Sequence, residues 1–113
     1  MESILTSIKQ MLGLSEDCTA FDVDIITHIN STFMILRQLG VGPSKGFSIC
    51  DSTAMWTDFV PVDKYVAVKS YMYLKVKLLF DSASLSSAVI EAMNRSISEY
   101  EWRLNHEAEY EEV

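Results

Sequence analysis

The chain has 113 residues, 49% of them apolar and 22% charged. That is one domain's worth of sequence, with enough apolar surface for a core and a composition unlike that of a wholly disordered chain. Its formal net charge of -7 opposes nucleic-acid binding through phosphate neutralisation and docking on an anionic membrane face.

The acidity is uneven. Residues 1–98 hold ten acids and eight bases, whereas residues 99–113 hold six glutamates against Arg103 alone. The opening Met1-Glu2-Ser3-Ile4-Leu5 has neither the basic region nor the cleavage site of a signal peptide. Residues 2–12 read as a short helix, because Ile4, Leu5, Ile8, Met11 and Leu12 recur at spacings of three and four. Gly13 suits the left-handed stop after it. The next helix carries the clearest start signal. Thr19-Ala20-Phe21-Asp22 has a capping-box form, with Cys18 and Val23 at the two staple positions. Asp22 and Asp24 fall in its first turn, where the helix dipole favours negative charge. Phe21, Ile25, Ile29, Phe33 and Leu36 form its apolar stripe, and Gly40 ends it.

Residues 40–50 are a loop, with turn signals at Gly42-Pro43 and Lys45-Gly46; Phe47 and Ile49 alternate as a very short extended piece. A short helix is expected from Asp51 to Phe59, capped by Asp51 or Ser52, with Trp56 and Phe59 facing one way. Pro61 separates it from a third long helix over residues 63–80, opened by Asp63. That helix is apolar around most of its circumference, so it must be central or partly covered by a neighbouring subunit. Lys69, Lys75 and Lys77 interrupt it, and it is shorter than the roughly 20 residues a membrane span needs. Asp81-Ser82-Ala83-Ser84 breaks the chain. A fourth long helix starts near Leu85 and reaches at least Leu104, with Val89, Met93, Ile97, Tyr100 and Leu104 as its seam and Ala88, Ala92 and Ser96 beside it. The reading is all-α: a single-domain bundle of four main helices plus one short helical turn over residues 1–105, then an acidic tail over 106–113 that need not be ordered.

Nothing in the pattern builds a catalytic site. His28 and His106 have no His or Cys at metal-ligand spacing, no serine sits in a nucleophile elbow, and the glycines of the loop do not form a phosphate-binding motif. Cys18 and Cys50 are too few for a disulfide scaffold and match no zinc spacing. They read as reduced, partly buried thiols, in keeping with synthesis inside a cell. No enzyme activity, cofactor or metal is expected. Trp56, Phe59, Tyr71, Tyr73 and Trp102 are the candidates for a subunit or partner interface, since Trp and Tyr dominate interface hot spots. Trp102 lies off the seam and leads them.

A set of short motifs in fixed order gives a more specific reading. Ala20-Phe21-Asp22-x-Asp24-Ile25-Ile26 with Ile29-Asn30 is followed by Gln38-Leu39-Gly40-Val41-Gly42-Pro43, Gly46-Phe47-Ser48-Ile49 and Trp56-Thr57-Asp58-Phe59. Then come Val68-Lys69-x-Tyr71-x-Tyr73-Leu74-Lys75-Val76-Lys77-Leu78-Leu79-Phe80-Asp81 and Glu99-x-Glu101-Trp102-Arg103-Leu104-Asn105. This order, from about Ile4 to Asn105, resembles the head–tail connector proteins of long-tailed siphophages and related prophages. The family often has prolines just after the pair matching Phe80-Asp81, where this chain has Ser82-Ala83.

The resemblance implies a structural virion protein at the head–tail junction, made in the bacterial host cytoplasm. Such subunits form a homo-oligomeric ring of about a dozen copies, closed by heterologous contacts, beneath the portal protein. The ring extends the DNA channel, through which DNA passes without specific binding, and docks neck and tail completion proteins. No membrane is involved. Glu99 and Glu101 are then candidates to face the channel, because a negative wall repels the DNA backbone. A small helical module acting by protein contact is the alternative.

Overall fold

The computed structural model describes residues 2–61 and 64–111. Its elements are α1 (Ile4–Met11), α2 (Asp22–Gln38), α3 (Trp56–Phe59), α4 (Tyr65–Asp81), a 3-10 turn (Ser82–Ser84) and α5 (Ser87–Glu111). The all-α reading with one short helical turn holds, and no strand occurs among the described residues. The expected opener of α4, Asp63, lies outside the described residues.

Helix α4 is the centre, as its nearly all-round apolar sequence requires. Val68, Tyr71, Met72 and Val76 are fully buried, and α1, α2, α3 and α5 all pack on it. α2 and α4 run antiparallel: Phe21, just ahead of α2, meets Phe80 near the end of α4 edge to face, ring centroids 5.4 Å apart. Ile25, Ile29, Phe33 and Leu36 form the buried stripe of α2. Phe21, assigned to that stripe from its spacing, is 43% exposed at its margin.

Both early helices end as their glycines dictate. After α1, Gly13 takes φ +83°, its N–H donates to the Gln10 carbonyl, and Leu14 N–H donates to the Lys9 carbonyl at 2.9 Å. These are the two bonds of a Schellman stop. α2 ends the same way at Gly40.

The start of α2 differs from expectation. Its cap position is Phe21, with no side-chain cap bond, and Val23 is exposed, so neither the Thr19 capping box nor the Cys18–Val23 staple forms. The Asp22 carboxylate is drawn elsewhere. It sits 2.9 Å from the ammonium of Lys9, which is 3% exposed and also donates to the Glu16 carbonyl at 3.1 Å. Asp22 Oδ1 is itself buried and receives no well-directed hydrogen bond, so the contact is ionic. A buried ammonium needs a counter-charge more than a helix terminus needs a cap.

The 40–50 loop is pinned by side chains. Asn30 donates to the Ile49 carbonyl at 2.9 Å and accepts from Ile49 N–H at 2.8 Å, while Arg37 Nε donates to the Ser44 carbonyl at 3.0 Å. Phe33, Phe47 and Phe59 cluster with centroids 4.6–5.2 Å apart. The expected helix over 51–59 shrinks to α3, because Asp51 turns back to accept from Thr53 N–H at 2.9 Å. Asp58 instead holds the start of α3 by accepting from Met55 N–H at 2.8 Å. The chain start is tied to this region: Ile4 N–H donates to the Ala54 carbonyl and Trp56 N–H to the Glu2 carbonyl.

Gly42 has φ +85°, and a Cβ there would overlap the buried Phe59 ring; a Cβ on Gly13 would meet open space. Gly13→Ala is therefore expected to cost about 1–2 kcal/mol, the penalty of a left-handed backbone alone. Gly42→Ala is expected to cost about 1–3 kcal/mol more from overpacking, measured by urea unfolding; equal losses would contradict the placement of Phe59. Lys9→Met strands the Asp22 carboxylate and is expected to cost about 3 kcal/mol, most of it recovered in Lys9→Met/Asp22→Leu. A double variant no more stable than the single one would remove the ion pair from the account.

Candidate functional site

The described residues contain no group of three or more His, Cys, Asp and Glu able to hold a metal ion, and no helix long and apolar enough to cross a membrane. What the fold presents is surface, so each residue expected to meet a partner is judged by its cover.

Trp56 is 1% exposed and its indole N–H donates to the Ser7 hydroxyl at 2.8 Å, 49 residues away in sequence. Phe59 is buried in the phenylalanine cluster. Tyr71 is fully buried in the face of α4 that packs on its neighbours. These three, assigned to an interface by residue type, serve the core of a single copy. The physical reason is position: each falls on the inward side of an element that α4 covers or belongs to. Tyr73 is half-buried and packs against the core. Trp102 is 67% exposed on the outward side of α5, its ring stacked on His106 at 5.1 Å and nearly parallel.

The two candidate channel acids part company. Glu99 is exposed and pairs with Arg103 one turn on, at 2.7 Å. Glu101 is half-buried and accepts from the Tyr71 hydroxyl at 2.7 Å, which joins α5 to α4. Burial raises the Tyr71 hydroxyl far above the usual phenol range, and the bond to Glu101 and its charge add to the shift.

That bond also sets the register between the helices. With Tyr71 opposite Glu101, the end of α4 at Asp81 falls opposite Glu91. The α5 residues buried in the core are Ile97 and Leu104. Val89, placed on the seam by its spacing, is 45% exposed because it lies beyond the end of α4. Ala88 is exposed for the same reason, and Ala92 is exposed as well. The helix also continues through residues 106–111, set apart in the sequence as an acidic tail.

One pattern on α5 was legible from spacing and was missed. Glu91, Arg95, Glu99, Arg103 and Glu107 follow at intervals of four, and all five are exposed. Glu ahead of Arg at i,i+4 is the stabilising order on a solvated helix. Near the C-terminal end of α5, Val68, Leu104 and Ala108 line a cavity of about 290 Å³ with Gly40, Gly42 and Phe59. Lys64 and Glu107 are its charged lining residues, and no His, Cys, Ser or Thr among the described residues lines it.

A family model described as phage connector protein matches residues 4–111 of the chain. No curated protein matches it, and no solved structure does.

The raised Tyr71 hydroxyl keeps its proton where the unfolded chain releases its own. Its contribution to stability is complete below about pH 10 and is lost as pH climbs above that value. Unfolding free energies taken from pH 8 to 11 are expected to fall less steeply in Tyr71→Phe than in the parent. The difference should be at most about 1.4 kcal/mol per pH unit, the slope of one proton. Parallel curves would mean that Tyr71 is not the group held back.

Proposed function

We propose, starting from the membership of this chain in the phage connector protein family, that it is a ring subunit of the head–tail junction. As a phage structural connector it acts by shape and contact, without catalysis. In the proposed assembly, copies close into a ring beneath the portal protein, carry the DNA channel onward and offer a floor to neck and tail completion proteins. The observation that carries this reading is the family match over nearly the whole chain, 4–111. The surface supports it. The first ten residues of α5 contain no buried side chain, and Trp102 stands open on the same helix. A chain that leaves a long helix half-covered is built to be covered by something else.

On this reading DNA passes a wall that must not hold it. Exposed carboxylates serve that purpose by repelling phosphates. Of the two candidates Glu99 is the exposed one, though its carboxylate is shared with Arg103, whereas Glu101 is engaged with Tyr71 between the helices.

Removing the coding sequence from a phage that produces this chain is expected to leave heads and tails that do not join. Electron microscopy of lysates would show the separate parts, and supply of the chain in trans would restore tailed particles. Tailed, infectious virions in normal numbers without it would overturn the assignment to the head–tail junction.

A further inference from the structure

Two uncovered surfaces share one end of the molecule and differ in chemistry. The first is the outward face of α5 around Trp102, which is 67% exposed and stacked on His106. Around it Arg103 is exposed and pairs with Glu99 at 2.7 Å, and Glu107 is exposed one turn further on. The second is the outward face of α2 with the loop that follows. From Ile25 to Cys50 the sequence has no acid, and its charged residues are Arg37 and Lys45. Met34 is 65% exposed there. Together with Arg37, Lys45, Gly46, Phe47 and Ser48 it lines a concavity of about 250 Å³. Its walls are held in place: Arg37 Nε donates to the Ser44 carbonyl at 3.0 Å, and Phe47 packs on Phe33 and Phe59.

Both surfaces lie where α2 ends and the C-terminal half of α5 passes, since Asn105 Nδ2 donates to the Leu39 carbonyl at 3.1 Å. α2 and α5 each pack on α4, so the two surfaces are separate patches at one level of the bundle.

We infer that Trp102 of one copy seats in the concavity of Met34, Arg37, Lys45 and Phe47 on the next copy. This rests on the ring reading above and names the surfaces that would build the ring. An indole offers a large apolar body and a π face that attracts guanidinium and ammonium groups. A methionine thioether packs well against such a ring. The Trp102 ring face suits Arg37 and Lys45, which stand in a stretch with no acid from Ile25 to Cys50, whereas an α5–α5 pairing would offer it an Arg103 already paired with Glu99. Two different surfaces at the same level make a heterologous contact, the kind that propagates around a ring instead of stopping at a dimer.

The test is cross-linking on portal-bearing particles. In a Cys18→Ser/Cys50→Ser chain, Ser48→Cys at the concavity and Ser98→Cys one turn before Trp102 are introduced together, then treated with a short bis-maleimide. The expected result is a ladder of covalent multimers from the double variant and none beyond a dimer from either single variant. Trp102→Ala, which leaves the exposed position without disturbing the core, should melt like the parent and lower incorporation into particles roughly thirtyfold, as loss of a central interface tryptophan does. Particles that carry the ring by electron microscopy, yet yield no ladder or dimers alone, would overturn this contact and leave the ring reading standing. Particles that bind the parent chain without any ring would overturn both.

Discussion

Helix α4 must be hidden on nearly every side, and the other elements are arranged by that need. Val68, Tyr71, Met72 and Val76 are buried completely, and α1, α2, α3 and α5 each contribute cover. A helix apolar around most of its circumference cannot sit at the edge of a domain. In 113 residues the supply of covering helices is short. α2 takes one flank over its whole length, while α1 and the short α3 close other parts of the circumference. α5 runs back along α4 from about Glu91, yet its first ten residues contribute no buried side chain.

Polar groups inside this arrangement fix which surfaces meet. Tyr71 would lie unsatisfied in the seam without an acceptor, and Glu101 supplies one; the pair therefore sets the α4–α5 register as well as its depth. Trp56 reaches Ser7 in the same manner and fastens α3 to α1. Asn30 holds both backbone groups of Ile49, so the loop after α2 stays against the helix and carries Phe47 into the aromatic cluster. A dry apolar core alone tolerates several packings; directed bonds between distant segments select one of them.

These two layers explain what the sequence made legible. Helix positions, the glycine stops at Gly13 and Gly40 and the centrality of α4 follow from periodicity and local backbone chemistry, and spacing alone revealed them. The family resemblance likewise rested on ordered motifs that run through the core-facing stripes. What stayed hidden depends on contacts between segments far apart. Thr19 had a good local claim to cap α2, but Lys9 on another helix took Asp22. Trp56, Phe59 and Tyr71 looked like interface residues by type, and burial is not a property of type. Glu101 looked like any surface glutamate until Tyr71 was placed opposite it. Trp102, lying off the helical seam, was the one aromatic whose exposure its register did announce.

The half-covered state of α5 has its own physical support. The helix has 25 residues and α4 has 17, so at 1.5 Å per residue it is longer by about 12 Å. An isolated stretch of helix is marginal in water unless side chains on its surface help it. In the row Glu91, Arg95, Glu99, Arg103, Glu107, the steps Glu91 to Arg95 and Glu99 to Arg103 have the favourable order, and the second is formed at 2.7 Å. The turn of α5 that carries Trp102 thus has support of its own before anything packs on its exposed side. A partner then meets a rod already in shape, and ordering the helix adds no entropic cost to the contact. This is why an open tryptophan on such a helix is better suited to assembly than the same residue on a loose tail would be.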